Sequence, residues 1–199
     1  MRLASWLWSA CLLTACTSYG ATNSPVTDLN AAEVPELVGR WRSISDERGH
    51  LGGDTLCVTI TPLAVRPHRI RMDGCRPGVR EADVKADFTR LGDELFVALQ
   101  PAISDTAALS TDDVLALYSF YRIRMRNDSM LVSELNADSL RTFLVHHPTA
   151  LPYALLEGNG PDLLLTGTPD QLAAFLAMHA RDSSLFGGEE AVLPFGRLR

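Results

Sequence analysis

The sequence is poor in lysine and in basic charge. Its 199 residues include 18 lysines and arginines against 24 aspartates and glutamates, and Lys85 is the one lysine. The arginines are scattered along the chain rather than clustered. A protein that binds a nucleic acid needs clustered cations to contact the phosphates. We therefore expect no nucleic-acid partner.

Long apolar runs are also missing. After residue 16, no run approaches the roughly 20 residues that a membrane-spanning helix needs. One shorter run extends from Leu3 to Leu13 behind Arg2, and as a helix it would rise only about 16 Å. A charged start, a short apolar segment and small residues before a cut site are typical of a secretory signal. We therefore predict export rather than a membrane span.

The tetrad Leu13-Thr14-Ala15-Cys16 resembles the lipobox of bacterial lipoproteins. The resemblance implies that residues 1–15 are a signal peptide and that Cys16, acylated with chains such as palmitate, anchors the mature chain. Without Arg2, that chain has 17 basic and 24 acidic residues and a formal charge of −7. In lipoproteins of Gram-negative bacteria, an aspartate directly after the anchor cysteine prevents sorting to the outer membrane, and this chain has Thr17 at that position. The resemblance therefore implies the outer membrane, with the protein facing the periplasm.

Residues 16–33 are rich in Ser, Thr, Asn and Ala and lack hydrophobic periodicity. This composition predicts a lipidated, flexible tether with a reach of roughly 20–25 Å. Residues 34–199 are then expected to form one α+β domain, a length that is ample for a single hydrophobic core.

Cysteine is scarce, with four in the chain. After cleavage and lipidation, Cys57 and Cys75 would be the remaining thiols, in an oxidising compartment, so we expect a disulfide. Both neighbouring segments look like strands, and the bridge would close an antiparallel hairpin with Thr61 opposite Arg71. A redox pair and a metal site are the alternatives, and no C-x-x-C spacing supports either.

Between residues 37 and 135 the pattern is mainly that of β-strands. Two turn signals, Gly92-Asp93 and Asn127-Asp128-Ser129, are short enough for antiparallel hairpins. Nine strands are predicted, at residues 39–44, 56–61, 68–73, 84–91, 95–100, 115–126, 130–135, 153–157 and 191–198. The expected fold is α+β: a curved antiparallel sheet or partial barrel with two C-terminal helices packed on it.

The C-terminal part contains an internal repeat. Residues 129–147 align with residues 161–179 with six of 19 positions identical. Each unit has the pattern strand, cap, helix, with Asn136 and Thr168 as the predicted N-caps. The repeat is either a duplication or the result of two helices meeting the same packing demand.

His147 and His179 occupy equivalent positions in the two repeats, and Asp182 could complete a metal triad. The alternative is that each histidine interacts with the dipole of its own helix C-terminus. Neither H-E-x-x-H nor G-x-S-x-G is present. We therefore expect no cofactor, no metal and no catalytic residue. A metal-dependent or hydrolytic envelope enzyme stays as the second alternative function.

Gly39-Arg40-Trp41 opens the first predicted strand of the domain, and Arg197 or Arg199 closes the chain. This arrangement resembles the lipocalins, in which a G-x-W tryptophan packs under an arginine from a late strand. The resemblance implies a β-barrel cup for a small apolar ligand, with Trp41 and Arg197 as candidate ligand-binding residues. An ordinary core tryptophan is the alternative.

The expected function is that of a non-enzymatic lipoprotein that binds another envelope component, an unidentified protein or polymer. The first alternative is a lipocalin-like carrier of an apolar small molecule. A carrier needs an enclosed apolar pocket larger than roughly 300 Å³, whereas a binding module has a packed interior and an exposed apolar patch.

Overall fold

Eight antiparallel strands close into a barrel. The computed structural model describes residues 19–44, 56–61, 68–73, 75, 82–101, 117–156, 162–186 and 192–198. The barrel strands, in spatial order, are β2 (Gly39–Ser43), β3 (Cys57–Thr61), β4 (His68–Asp73), β5 (Ala82–Leu91), β6 (Glu94–Pro101), β7 (Ser119–Arg126), β8 (Ser129–Glu134) and β11 (Val192–Arg197). Because β11 pairs with both β8 and β2, the predicted curved sheet or partial barrel is corrected to a closed one.

Most of a second layer is inserted between β8 and β11, and its remaining strand precedes the barrel in the sequence. The layer contains helix α1 (Ala137–His146), helix α2 (Pro169–Met178) and a three-stranded sheet. In that sheet β10 (Leu163–Leu165) lies between β1 (Tyr19–Ala21) and β9 (Tyr153–Leu155). A short 3₁₀ turn, Pro35–Leu37, precedes β2. In the part of the chain that the structure describes, no helix has the length and apolar character that crossing a membrane requires.

Alternation along the strands produces two hydrophobic cores. In β6, Leu95 and Val97 belong to a cluster to which all eight barrel strands contribute, so this cluster fills the lumen. Phe96 and Ala98, the next residues along the same strand, belong to a second cluster with the two helices and β1. Successive side chains point to opposite faces of a strand. The wall around β6 is therefore covered on both sides.

Residues 19–33 differ from the flexible tether predicted for residues 16–33. Tyr19 and Ala21 are buried in β1, and the Tyr19 hydroxyl donates to the carbonyl oxygen of Phe120 at 3.1 Å. Ala32 N–H donates to Phe88 O at 2.8 Å. The domain thus includes residues before Val34. The sequence pattern did not predict β1 because a strand of three residues is too short to show hydrophobic periodicity. The predicted signal peptide and Cys16 lie outside the described residues.

The predicted disulfide between Cys57 and Cys75 is confirmed, with the two Cα atoms 4.9 Å apart. The register expected from it is wrong by two residues, because Thr61 pairs with Arg69 rather than Arg71. The reason is that Cys75 lies beyond the end of β4, with a positive φ of 46°. The bridge therefore joins a strand to the loop after its neighbour.

Both helix N-caps are confirmed. The Asn136 side chain accepts from Ser139 N–H at 2.8 Å, and Thr168 forms a capping box with Gln171. Each repeat unit has the order strand, cap, helix. The two strands occupy different environments, since β8 is in the barrel and β10 is in the small sheet.

Candidate functional site

One end of the barrel is closed by the 3₁₀ turn and by Trp41. The indole is fully buried, and its Nε1–H donates to Leu37 O at 2.8 Å. Gly39 has a φ of +132°, with no neighbouring atom within 4 Å of an added Cβ. The glycine of the G-x-W motif is therefore required by the backbone conformation rather than by lack of space.

Arg197 completes this closed end. Its guanidinium carbon lies 4.9 Å from the centre of the Trp41 ring, and β11 places the two residues directly opposite each other. The same guanidinium donates to the carbonyl oxygens of Glu36 and Val38. The structure therefore brings together Trp41 and Arg197. The site that they form closes the barrel, and ligand contact by either residue stays a prediction.

The lumen above Trp41 is lined by apolar side chains. Buried residues of the lumen cluster are Val58, Ile60, Ile70, Ala86, Phe88, Leu95, Val97, Ile123, Met130 and Phe195. Leu99, Tyr121, Val132 and Leu193 are partly buried and pack against this cluster. They are nearer the opposite end of the strands, which we call the mouth. The lumen side chains are thus buried near Trp41 and only partly buried nearer the mouth.

A carboxyl group lies in this apolar lumen near the mouth. Glu134 pairs directly with Tyr121 in neighbouring strands and is two residues from Val132, so it shares their face. Tyr121 hydrogen-bonds to the carboxyl, whereas Glu134 Oε1 is a buried atom without a hydrogen-bond partner. Burial raises the pKa of Glu134 to about 7, and the Tyr121 hydrogen bond opposes the shift. Glu134 was not predicted as a site residue.

A second buried charge connects the barrel wall to the outer layer. Arg122 points outward from β7 and is only 5 % exposed. Its guanidinium donates to Ala180 O at 2.6 Å and lies 5.1 Å from the centre of the Phe186 ring. Burial is the main cause that lowers the pKa of Arg122. Through these contacts Arg122 links the barrel wall to the outer layer.

His147 and His179 are brought together, but against aromatic rings. The centre of the Phe143 ring is 4.7 Å from that of His147 and 4.8 Å from that of His179. His179 Nδ1 lies 3.9 Å from the Asp182 carboxylate. Burial is the main cause that lowers the pKa of His179. Among the described residues, no three His, Cys, Asp or Glu side chains form a group that could hold a metal ion.

A partly open groove of about 640 Å³ lies beside α2. Its lining residues are Pro148, Thr149, Ala150, Pro152, Gln171, Ala174, Phe175, Met178 and His179. The groove is outside the barrel, at the surface of the inserted layer. Met178 is 79 % exposed beside it.

The chain matches no protein-family model, no curated protein and no solved structure. The class is therefore defined by the geometry alone: an eight-stranded antiparallel meander closed into a barrel, with an apolar lumen and a helical layer on one wall.

Proposed function

We propose that the protein is a carrier that holds one small apolar molecule in the lumen of its barrel. The observation that supports this most is the apolar lumen, to which every barrel strand contributes. An eight-stranded barrel is just wide enough to be filled by side chains or to hold one small ligand. The stack of Arg197 on Trp41 adds the feature on which the lipocalin resemblance rests.

The carrier would be held at the outer membrane by the lipid on Cys16. The support for this part of the proposal is the lipobox pattern and the apolar segment before it. A lipid-anchored carrier in the periplasm could exchange an apolar molecule with a membrane without crossing it. This carrier role, which was the first alternative from the sequence, is now placed before the binding of another envelope component.

Two neighbouring residues of β8 provide a matched test. Val132 packs against the lumen cluster, whereas Leu131 is the adjacent residue on the opposite face. Each residue would be replaced separately by tryptophan in the full chain. The native chain and both variants would then be purified from the envelope of the cells that produce them. Solvent extraction and mass spectrometry would identify any small molecule that accompanies the protein.

We expect one apolar compound, near one per chain, with the native protein and with Leu131→Trp. Val132→Trp should reduce it at least tenfold, because the added ring occupies lumen space. Far-ultraviolet circular dichroism would show whether both variants retain the barrel. Absence of any such compound from the native protein would contradict the proposal, as would equal amounts in two folded variants.

Binding of another envelope component is kept as a second candidate because of the groove beside α2. Its size and the exposed Met178 fit a contact with a protein or polymer. A photo-crosslinking residue at position 178 should then capture one reproducible partner in intact cells. The same residue at Val145, which is 53 % exposed on α1, is the control and should capture none. Identical capture at both positions would contradict this role for the groove.

A further inference from the structure

The carboxyl of Glu134 is unusually placed for a charged residue. The strand alternation that directs Met130 and Val132 into the lumen also directs Glu134 there. Its neighbour across the strand pair, Tyr121, also packs on the lumen cluster. Glu134 is the last residue of β8, so its carboxyl lies at the mouth end of the apolar lumen.

Among the described residues, Tyr121 is the hydrogen-bond donor that acts on the pKa of this carboxyl, and no cation acts on it. The buried Tyr19 hydroxyl also interacts with the carboxyl electrostatically, but it donates to Phe120 O. Burial and the Tyr121 hydrogen bond are the two influences on the pKa of Glu134, which is raised to about 7. The lumen residues near its level, Leu99, Val132 and Leu193, are uncharged. Oε1 is buried and accepts no hydrogen bond. A buried acceptor without a partner is costly, so a donor placed there would stabilise the site.

We infer that Glu134, whose carboxyl is hydrogen-bonded by Tyr121, binds the polar head of the carried molecule, and that this head is a hydrogen-bond donor on an otherwise apolar body. The inference rests on the proposed carrier function and specifies its ligand class. A protonated amine is the strongest donor of this kind, since its bond to a carboxylate is charge-assisted. A fatty carboxylate is the ligand class that the site rejects, because two carboxylates repel each other.

Decylamine and decanoate are matched probes, since they share an alkyl chain and differ in the head. The fluorescent dye N-phenyl-1-naphthylamine would report binding. It would be excited by energy transfer from the buried Trp41, so that dye in the lumen can be distinguished from dye in the bilayer. The full chain would be reconstituted in phospholipid vesicles, with Trp6→Phe and Trp8→Phe. Displacement of the dye would be measured at pH 8, in the native chain and in Glu134→Gln.

The native chain should bind decylamine roughly tenfold to a hundredfold more tightly than Glu134→Gln does, the range expected for a hydrogen bond to a charged group. Decanoate should instead bind more tightly to Glu134→Gln. Glu94→Gln is the control, because Glu94 is paired with Arg124 on the outer wall and its loss should change neither probe. Opposite changes in the binding of the two probes are a result that a purely structural role of Glu134 would not produce.

Tyr121→Phe provides a second variant if Glu134→Gln does not fold. It keeps the carboxyl and removes its one hydrogen-bond donor, so decylamine should bind at least as tightly as in the native chain. Weaker decylamine binding to this variant would overturn the inference. So would unchanged decylamine and decanoate binding in Glu134→Gln, while the carrier function would stand. Failure of the native chain to bind the dye or either probe would overturn both.

Discussion

Glu134→Gln should change how the stability of the protein depends on pH. The pKa of Glu134 is about 7 in the folded protein, against an ordinary value of 4.5. The folded state therefore binds more protons than the unfolded state between these two pH values, and the stability contribution is lost as the pH rises. The contribution is complete below about pH 4.5 and is gone above about pH 7. The amide of the replacement side chain cannot ionise, so the variant lacks this dependence.

The expected change in the free energy of unfolding follows from the pKa shift of Glu134. One pKa unit corresponds to about 1.4 kcal/mol, which would give an upper value near 3.4 kcal/mol for the shift from 4.5 to about 7. Glu134 is only partly buried, and screening by water reduces this to about 2 kcal/mol. With a urea m-value of about 2 kcal/mol/M, the unfolding midpoint of Glu134→Gln relative to the native chain should rise by about 1 M between pH 4 and pH 8.

Trp41 fluorescence would follow urea unfolding in the full chain with Trp6→Phe and Trp8→Phe. Glu94→Gln is the matched control, because the hydrogen bond from Arg124 is the main cause that lowers the pKa of Glu94. The stabilising contribution of Glu94 is present above its unfolded pKa and is lost as the pH falls, so the control should change in the opposite direction. An equal difference between Glu134→Gln and the native chain at pH 4 and pH 8 would refute the burial argument.

Three further changes test separate parts of the fold. Arg197→Ala should lower the free energy of unfolding by about 1–2 kcal/mol, because its stack on Trp41 and its carbonyl contacts are lost; urea titration would measure this, and Arg197→Lys should retain part of it. Replacing Cys57 and Cys75 together by serine should lower the free energy of unfolding by about 3 kcal/mol, and a melting temperature equal to that of the native chain would contradict this expectation. Thr168→Ala should cost about 1 kcal/mol through the lost cap, measured in the same way; no change would indicate that packing alone determines where the helix begins.

The features that local chemistry determines were predictable from the sequence. Asn136 and Thr168 cap their helices because a short polar side chain can satisfy the first free N–H groups. The turn at Gly92-Asp93 connects β5 and β6, and Gly92 has a φ of +64°. Each of these features depends on a few consecutive residues, so no distant contact is needed to predict it.

The features that depend on distant residues were not predictable in the same way. Closure of the barrel requires β11 to pair with β2, and strand propensity alone does not determine which strands meet. Tyr19 was assigned to a tether because its partner, Phe120, is 101 residues away. The alternation of side chains along β7 and β8 predicts which face Arg122 and Glu134 occupy. How deeply each is buried depends on neighbours from other elements, which the alternation does not reveal.

The burial of Tyr19 in β1 determines how far the domain can stand from the bilayer. If Cys16 carries the proposed anchor, only Thr17 and Ser18 separate it from this strand. Three Cα-to-Cα steps of about 3.8 Å allow a separation of at most about 11 Å. That is comparable with the thickness of one headgroup layer, about 5–8 Å. The strand end at Tyr19 would then be held at the membrane surface, which limits the orientations in which the barrel mouth can face the lipids.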